Sequence, residues 1–226
     1  MPLQNRVSPF GAIEAVAARG LLTGNRGVLH DDSRRLGRAR WRHRNWIACR
    51  LDFGTVRRVP MSPGTWTELF FLDEAVALAA GHRPCAYCRR EDYRRFALAF
   101  REGLGLADVP RAGEIDRALH AARIEPATRT QLGFEADAAI LPDGCFIELG
   151  QGEAWLVGRP FAVRWTHCGY DARREIPPGR VRVLTPAPTV AALGAGYRPM
   201  LHPSAGLALD GHLGYWEATA AGEGVP

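Results

Sequence analysis

Apolar positions along this chain recur in short runs, and their spacing changes from one end to the other. Asp73 to Ala80 is apolar after two leading acids and is closed by Gly81. It predicts a short helix with Asp73 as N-cap and Gly81 as the left-handed residue past its end. Tyr93, Phe96, Ala97 and Phe100 recur at helical spacing and predict a second helix. Arg90, Arg94 and Arg101 fall on another stripe of that helix, within about 40° of one line. Glu114 to Ile124 predicts a third helix. Trp46 to Phe53 alternates and predicts a strand, with Thr55 to Val59 as its partner. Thr23-Gly24-Asn25-Arg26-Gly27 reads as a loop. Past Ala138 the Asp143-Gly144 turn leads into Cys145–Leu149, Ala154–Val157, Phe161–Thr166 and Val181–Leu184. These short strands, punctuated by turns, suggest a small sheet or barrel. Thr189 to Ala195 predicts a last helix, and the Gly- and Ala-rich residues after Gly206 a loosely held tail.

One pattern occurs twice. Leu78-Ala79-Ala80-Gly81-His82-Arg83-Pro84 matches Leu193-Gly194-Ala195-Gly196-Tyr197-Arg198-Pro199 in type and order. Both read as a helix end, a capping glycine, a ring and then Arg-Pro. A repeated helix stop explains this, with the ring folding back on its own helix. On that reading His82 is a packing ring, not a ligand.

Composition narrows the function. The chain has 226 residues, 46% hydrophobic and 23% charged, which is ordinary for a soluble globular protein. No apolar run approaches the roughly 20 residues of a membrane span, and Met1 to Gly20 lacks the apolar core of a secretory signal. The expectation is a cytoplasmic protein with no membrane partner. All 29 basic residues are arginine, which rules out a lysine Schiff base and a P-loop lysine. The positive charge belongs to the N-terminal half: Arg34, Arg35, Arg38, Arg40, Arg42, Arg44, Arg50, Arg57 and Arg58 face Asp52 alone, with Trp41, Trp46 and Phe53 interleaved. From Glu102 onward, 11 arginines meet 15 acids. Arginines grip phosphates and rings stack on bases, so the basic segment predicts nucleic acid as partner, DNA in the first instance. The predicted contacts are Arg34, Arg35, Arg38, Arg40, Arg42 and Arg44, joined by Arg90 and Arg94 on the second helix.

The chemistry sits in Gly81-His82-Arg83-Pro84-Cys85-Ala86-Tyr87-Cys88-Arg89. Two cysteines in one turn aim both sulfurs at a common point, and a helix start just beyond helps stabilise thiolates. Five cysteines, an odd number with one C-x-x-C pair, favour metal or redox use over a disulfide framework. The expected cofactor is Zn2+, held by Cys85, Cys88 and a third sulfur, Cys49, in the same basic segment 36 residues before Cys85.

From Trp46 to Asp92 the chain resembles the N-terminal metal-binding domain of the Ada DNA-repair protein. The resemblance is carried by Cys49 after a hydrophobic strand, the aromatic pair Phe70-Phe71, the helix Asp73 to Ala80, and the string Ala80 to Arg89. It implies a zinc held by cysteines, one of which, corresponding to Cys49, takes a methyl group from a methylated DNA phosphate. The family has a second cysteine four residues after the first, and Phe53 stands there in this chain. The fourth ligand is therefore open, among Cys145, Cys168, His30, His43, His82, His202 or water.

The expected fold is α+β: a zinc-knuckle α/β module over residues 1–101, a helical connector over 102–137, and a small β-rich domain over 138–226 with a C-terminal helix and tail. The expected function is zinc-dependent nucleic-acid binding with repair or modification chemistry at Cys49. Two alternatives stand beside it. One is a zinc hydrolase or nuclease with an open metal position, using the polar cluster Asn25, Arg26, His30 and Asp31. The other is a non-catalytic interaction module with structural zinc.

Overall fold

The first seventy residues fold into strands of three or four residues, too short to display a period of two. In this computed structural model, which describes residues 1–54, 59–125 and 127–208, they are β1 (Gln4–Val7), β2 (Ile13–Ala15), β3 (Leu22–Asn25), β4 (Ile47–Arg50) and β5 (Leu69–Phe71). With the two-residue β6 (Arg83–Pro84) they form a mixed sheet in the order β2-β1-β5-β3-β4-β6. β3 lies inside the sheet, antiparallel to both β4 and β5, so Thr23-Gly24-Asn25 is strand and not the expected loop. The reason is close approach. A Cβ at Gly24 would overlap the Ile47 carbonyl and press on the Phe71 ring, so glycine serves the sheet there. The strand expected from Trp46 to Phe53 ends at Arg50 and pairs with β3 and β6. Residues 55–58 of its expected partner lie outside the described residues, as do Trp216 and most of the tail.

The helix before the cysteine turn forms as its caps dictate. In α1 (Glu74–Ala79) every residue is buried, and the Asp73 carboxylate accepts the Val76 amide at 3.0 Å. At its far end Gly81 takes φ 80°, while the Gly81 amide donates to Leu78 and the His82 amide to Ala77. In α2 (Arg90–Gly103), Phe96, Ala97 and Phe100 are buried, and Arg90 and Arg94 are exposed. α3 (Ala112–Arg123) buries Ile115 and Leu119.

The C-terminal half is a fully antiparallel sheet. Its strands are β7 (Phe134–Asp137), β8 (Phe146–Glu148), β9 (Ala154–Gly158), β10 (Phe161–Thr166), β11 (Gly169–Glu175) and β12 (Arg180–Val183), in the order β11-β10-β9-β8-β12-β7. β11 carries charge along most of its length because it is an edge strand, with Asp171, Arg173, Arg174 and Glu175 exposed and Ala172 packed against the second core. The helices α4 (Ala187–Gly194) and α5 (Pro203–Ala208) follow. The end of α4 repeats that of α1: Gly196 takes φ 96°, its amide donates to Leu193, and the Tyr197 amide donates to Ala192.

The second sheet is buried on both faces. Phe146, Leu156, Val163 and Tyr170 pack with Leu69, Phe71 and Val76 of the first sheet and α1. Ile147, Trp155, Val157 and Ala162 pack with Phe96, Phe100, Ile115 and Leu119 of α2 and α3. Each such side chain stabilises the fold by about 1.5–3 kcal/mol relative to exposure. No described helix is long and apolar enough to cross a membrane.

Candidate metal centre

Backbone register brings the sulfurs together. β4 and β6 run parallel, with Ile47 beside Arg83 and Ala48 beside Pro84. The Arg83 amide donates to the Trp46 carbonyl at 3.1 Å and the Cys85 amide to Ala48 at 3.0 Å. One more step of this register sets Cys49 beside Cys85. The chain then turns, the Arg89 amide donates back to the Cys85 carbonyl at 3.1 Å, and Cys88 returns to the same point. The three Sγ atoms lie within 4.8 Å of one another.

The trio fits a divalent metal that prefers sulfur. A tetrahedral zinc with Zn–S bonds of about 2.3 Å sets its sulfurs roughly 3.8 Å apart, which small rotamer changes would reach. Amides already point at the sulfurs: those of Tyr87 and Cys88 at Cys85, and that of Arg50 at Cys88. Such donors favour thiolate. Cys85 is held low by hydrogen bonds from Cys49 and Cys88. Cys49 is pushed far up by its hydrogen bond to Cys85, then by that to Cys88 and by burial. Cys88 is drawn down by Cys49 but raised on balance by Cys85 and burial. Three adjacent thiolates need a cation to coexist. As whole residues Cys85 and Cys88 are buried and Cys49 is half-buried.

Buried ion pairs clamp the turn on either side. Arg83 makes a two-pronged pair with Asp116 of α3, both bonds 2.8 Å, with both side chains nearly inaccessible. Arg89 reaches Glu74 of α1 at 2.9 Å and Asp92 at 2.8 Å. Glu74 also accepts the Tyr197 hydroxyl at 2.6 Å. Beneath β4, Trp46 is sandwiched between the guanidinium carbons of Arg26, 4.0 Å away, and Arg123, 3.7 Å away. All three are buried. Burial lowers Arg26 to about 9 and Arg123 to about 8. His82 completes the block, fully buried, 5.2 Å from the Trp46 ring and 4.6 Å from the Phe71 ring.

The other expected site residues are placed as follows. Among the described residues, none of the candidate fourth ligands joins the sulfur trio. Cys145 is in the second core, Cys168 is an exposed turn residue, and His202 bonds Ser204 at 2.8 Å. Asn25, Arg26, His30 and Asp31 do not converge. Arg26 turns inward to Trp46, His30 is held by Thr67 at 2.6 Å, Asn25 meets His43 at 3.1 Å, and Asp31 caps its own exposed turn. His30 and Asp31 instead line an open cleft of about 630 Å³ with Arg42 and His43. Arg34, Arg35, Arg38, Arg40, Arg42 and Arg44 are all exposed. Of the interleaved aromatics, Trp46 is core and Trp41 packs on Trp46 and His120, so Phe53 alone is left open to a base. Sequence reasoning missed the clamps. Asp116 and Glu74 carry no local mark that distinguishes them from surface acids, whereas Arg83, inside the repeated Arg-Pro pattern, does carry one.

No family model, no curated protein and no solved structure matches this chain.

Proposed function

We propose that this chain is a zinc-dependent nucleic-acid-binding protein of the Ada metal-binding type, with Cys49 as its reactive sulfur. The observation that carries the reading is the convergence of Cys49, Cys85 and Cys88, with Cys49, as a whole residue, the least buried. Bound zinc would keep these sulfurs deprotonated, yet nucleophilic, at neutral pH. The arginines from Arg34 to Arg44 would hold a phosphate backbone, and Arg50, next to Cys49, would face the same strand. Cys49 would attack the methyl carbon of a methylated phosphate: the S–C bond forms, the C–O bond breaks, and the phosphodiester leaves as an anion. Arg83–Asp116 and Arg89–Glu74 would keep Cys85 and Cys88 fixed while Cys49 reacts.

The test has three readouts. Elemental analysis should give one zinc per chain, and Cys85→Ser should lose it. DNA affinity should fall with salt, with a log–log slope near roughly −3.6 if about four phosphates are neutralised. Incubation with methylphosphotriester DNA should add one methyl group to Cys49, by mass spectrometry, and none to Cys49→Ser. Metal-free protein that binds no nucleic acid at low salt would end this reading.

A second reading, a zinc hydrolase, has one observation in its favour: three described side chains converge, not four, which suits a water ligand. No carboxylate or imidazole belongs to that set to serve as general base. Zinc with DNA cleavage and no methyl uptake would favour it.

A further inference from the structure

Two rings stand open beside the sulfurs. Tyr87, inside the Cys85–Cys88 turn, is 80% exposed, and Phe53, four residues after Cys49, is 47% exposed. They meet edge to face, centroids 5.1 Å apart and planes 77° apart, so they form a step with the Tyr87 ring largely uncovered. Tyr87 is carried by a turn clamped through Arg83 and Arg89, so its backbone is held before any partner arrives. Of the arginines in the same two segments, Arg83 and Arg89 are buried in ion pairs, while Arg50, Arg90 and Arg94 are exposed and have no ion-pair partner among the described residues. Asp52 and Glu91 are the exposed acids in the same segments.

From this juxtaposition we propose that the Phe53–Tyr87 step is a stacking platform for an unpaired base, and that the protein prefers single-stranded nucleic acid, or a strand locally opened, to intact duplex. The inference rests on the nucleic-acid reading above and names the form of partner that reading leaves open. Exposed aromatic rings carried on the same segments as exposed guanidinium groups suit a ligand that is planar and anionic at once. A duplex presents phosphates but hides its base faces in the stack, so it would use the arginines and leave the rings wet. An unpaired strand uses both. Stacking would also hold the strand's backbone near Cys49, since Phe53 and Cys49 share one short segment.

The experiment compares a labelled oligothymidylate with a hairpin duplex of equal charge, by fluorescence anisotropy on zinc-loaded protein at fixed salt. Wild type should bind the single strand more tightly. Tyr87→Ala should weaken that binding about 5- to 150-fold, the range of one lost base–ring stack, and change duplex binding by less than about twofold. Tyr87→Phe should keep wild-type affinity. Because Tyr87 is exposed, unchanged zinc content and circular dichroism will establish that the variant is folded. If wild type binds both probes with an affinity that falls with salt but Tyr87→Ala matches it on the single strand, the platform is wrong and the nucleic-acid reading stands. Equal loss on both probes also overturns the platform. If wild type binds neither probe, the nucleic-acid reading itself fails.

Discussion

The two helix stops can be laid side by side. After α1 and after α4 the chain makes the same turn: a left-handed glycine, paired amide bonds back to the helix, a buried ring, then Arg-Pro. The backbones agree, and the differences lie in what the side chains are asked to do. His82 is wedged against Trp46 and Phe71, whereas Tyr197 reaches Glu74 with its hydroxyl. Arg83 is buried against Asp116, whereas Arg198 is exposed and donates to carbonyls of its own turn. The first stop feeds a strand edge and the cysteine turn, while the second leads to Met200, whose amide returns to Glu74 at 2.8 Å. Glu74 thus ties both stops together, since it also holds Arg89 beside Cys88. The first stop differs from the second in having a buried ion pair on each side of the cysteine turn.

The largest expected difference between the stops is at the arginines. Asp116→Asn leaves the buried Arg83 charge uncompensated and should cost about 3–5 kcal/mol. Arg198→Ala, at the exposed counterpart, should cost under about 0.5 kcal/mol. Urea unfolding of both variants measures the contrast, and equal effects would break it.

Next come the glycines. Gly81→Ala adds a methyl that overlaps the Arg123 side chain, in a left-handed conformation that disfavours L-residues by about 1–2 kcal/mol. Gly196→Ala meets the same conformational cost with open space around it. Gly81→Ala should therefore be the more destabilising, with part of its effect read as displacement of Arg123 from the Trp46 ring. Tryptophan fluorescence should shift for the first variant and not for the second.

The smallest effect is pH. Burial first, then Arg26 and Arg123, hold His82 well below its usual value, so the folded protein refuses a proton that the unfolded chain takes near 6.5. Its contribution is fully present above about 6.5 and is lost as pH falls, at up to about 1.4 kcal/mol per unit. Burial raises Asp73 to about 6, against its hydrogen bonds, so below that pH Asp73 acts in the opposite sense. Comparison with His82→Phe isolates the histidine: wild type should lose stability relative to the variant as pH drops below 6.5. Tyr197, raised well above 10 by burial and Glu74, contributes nothing there.

Much of the candidate metal site is legible in the sequence, because its parts are local. Asp73, Gly81 and the two cysteines state their roles within four residues of themselves, and β10 coincides with the expected run Phe161–Thr166. The first sheet is not legible. Gln4-Asn5-Arg6-Val7 and Leu22-Thr23-Gly24-Asn25 are mostly polar and show no strand pattern of their own, and they become strands by pairing with β5, some 45 to 64 residues further along the chain. Arg26 misleads for the same reason: its partner is a tryptophan ring 20 residues away, and nothing near Arg26 announces that it is buried. The Arg83–Asp116 clamp spans 33 residues and needs the folded register to appear.

The segment from Asp31 to Asn45 carries six exposed arginines and only an isolated backbone bridge, between His30 and Leu36. Because the chain has no lysine, every trypsin cut falls after an arginine, and this stretch offers the enzyme six exposed targets close together. A brief digestion should therefore nick the protein here first, leaving the clamped cysteine turn whole. If these arginines lie along a bound strand, adding that strand should spare the segment, so a gel of cleavage fragments would map the contact without any substitution at all.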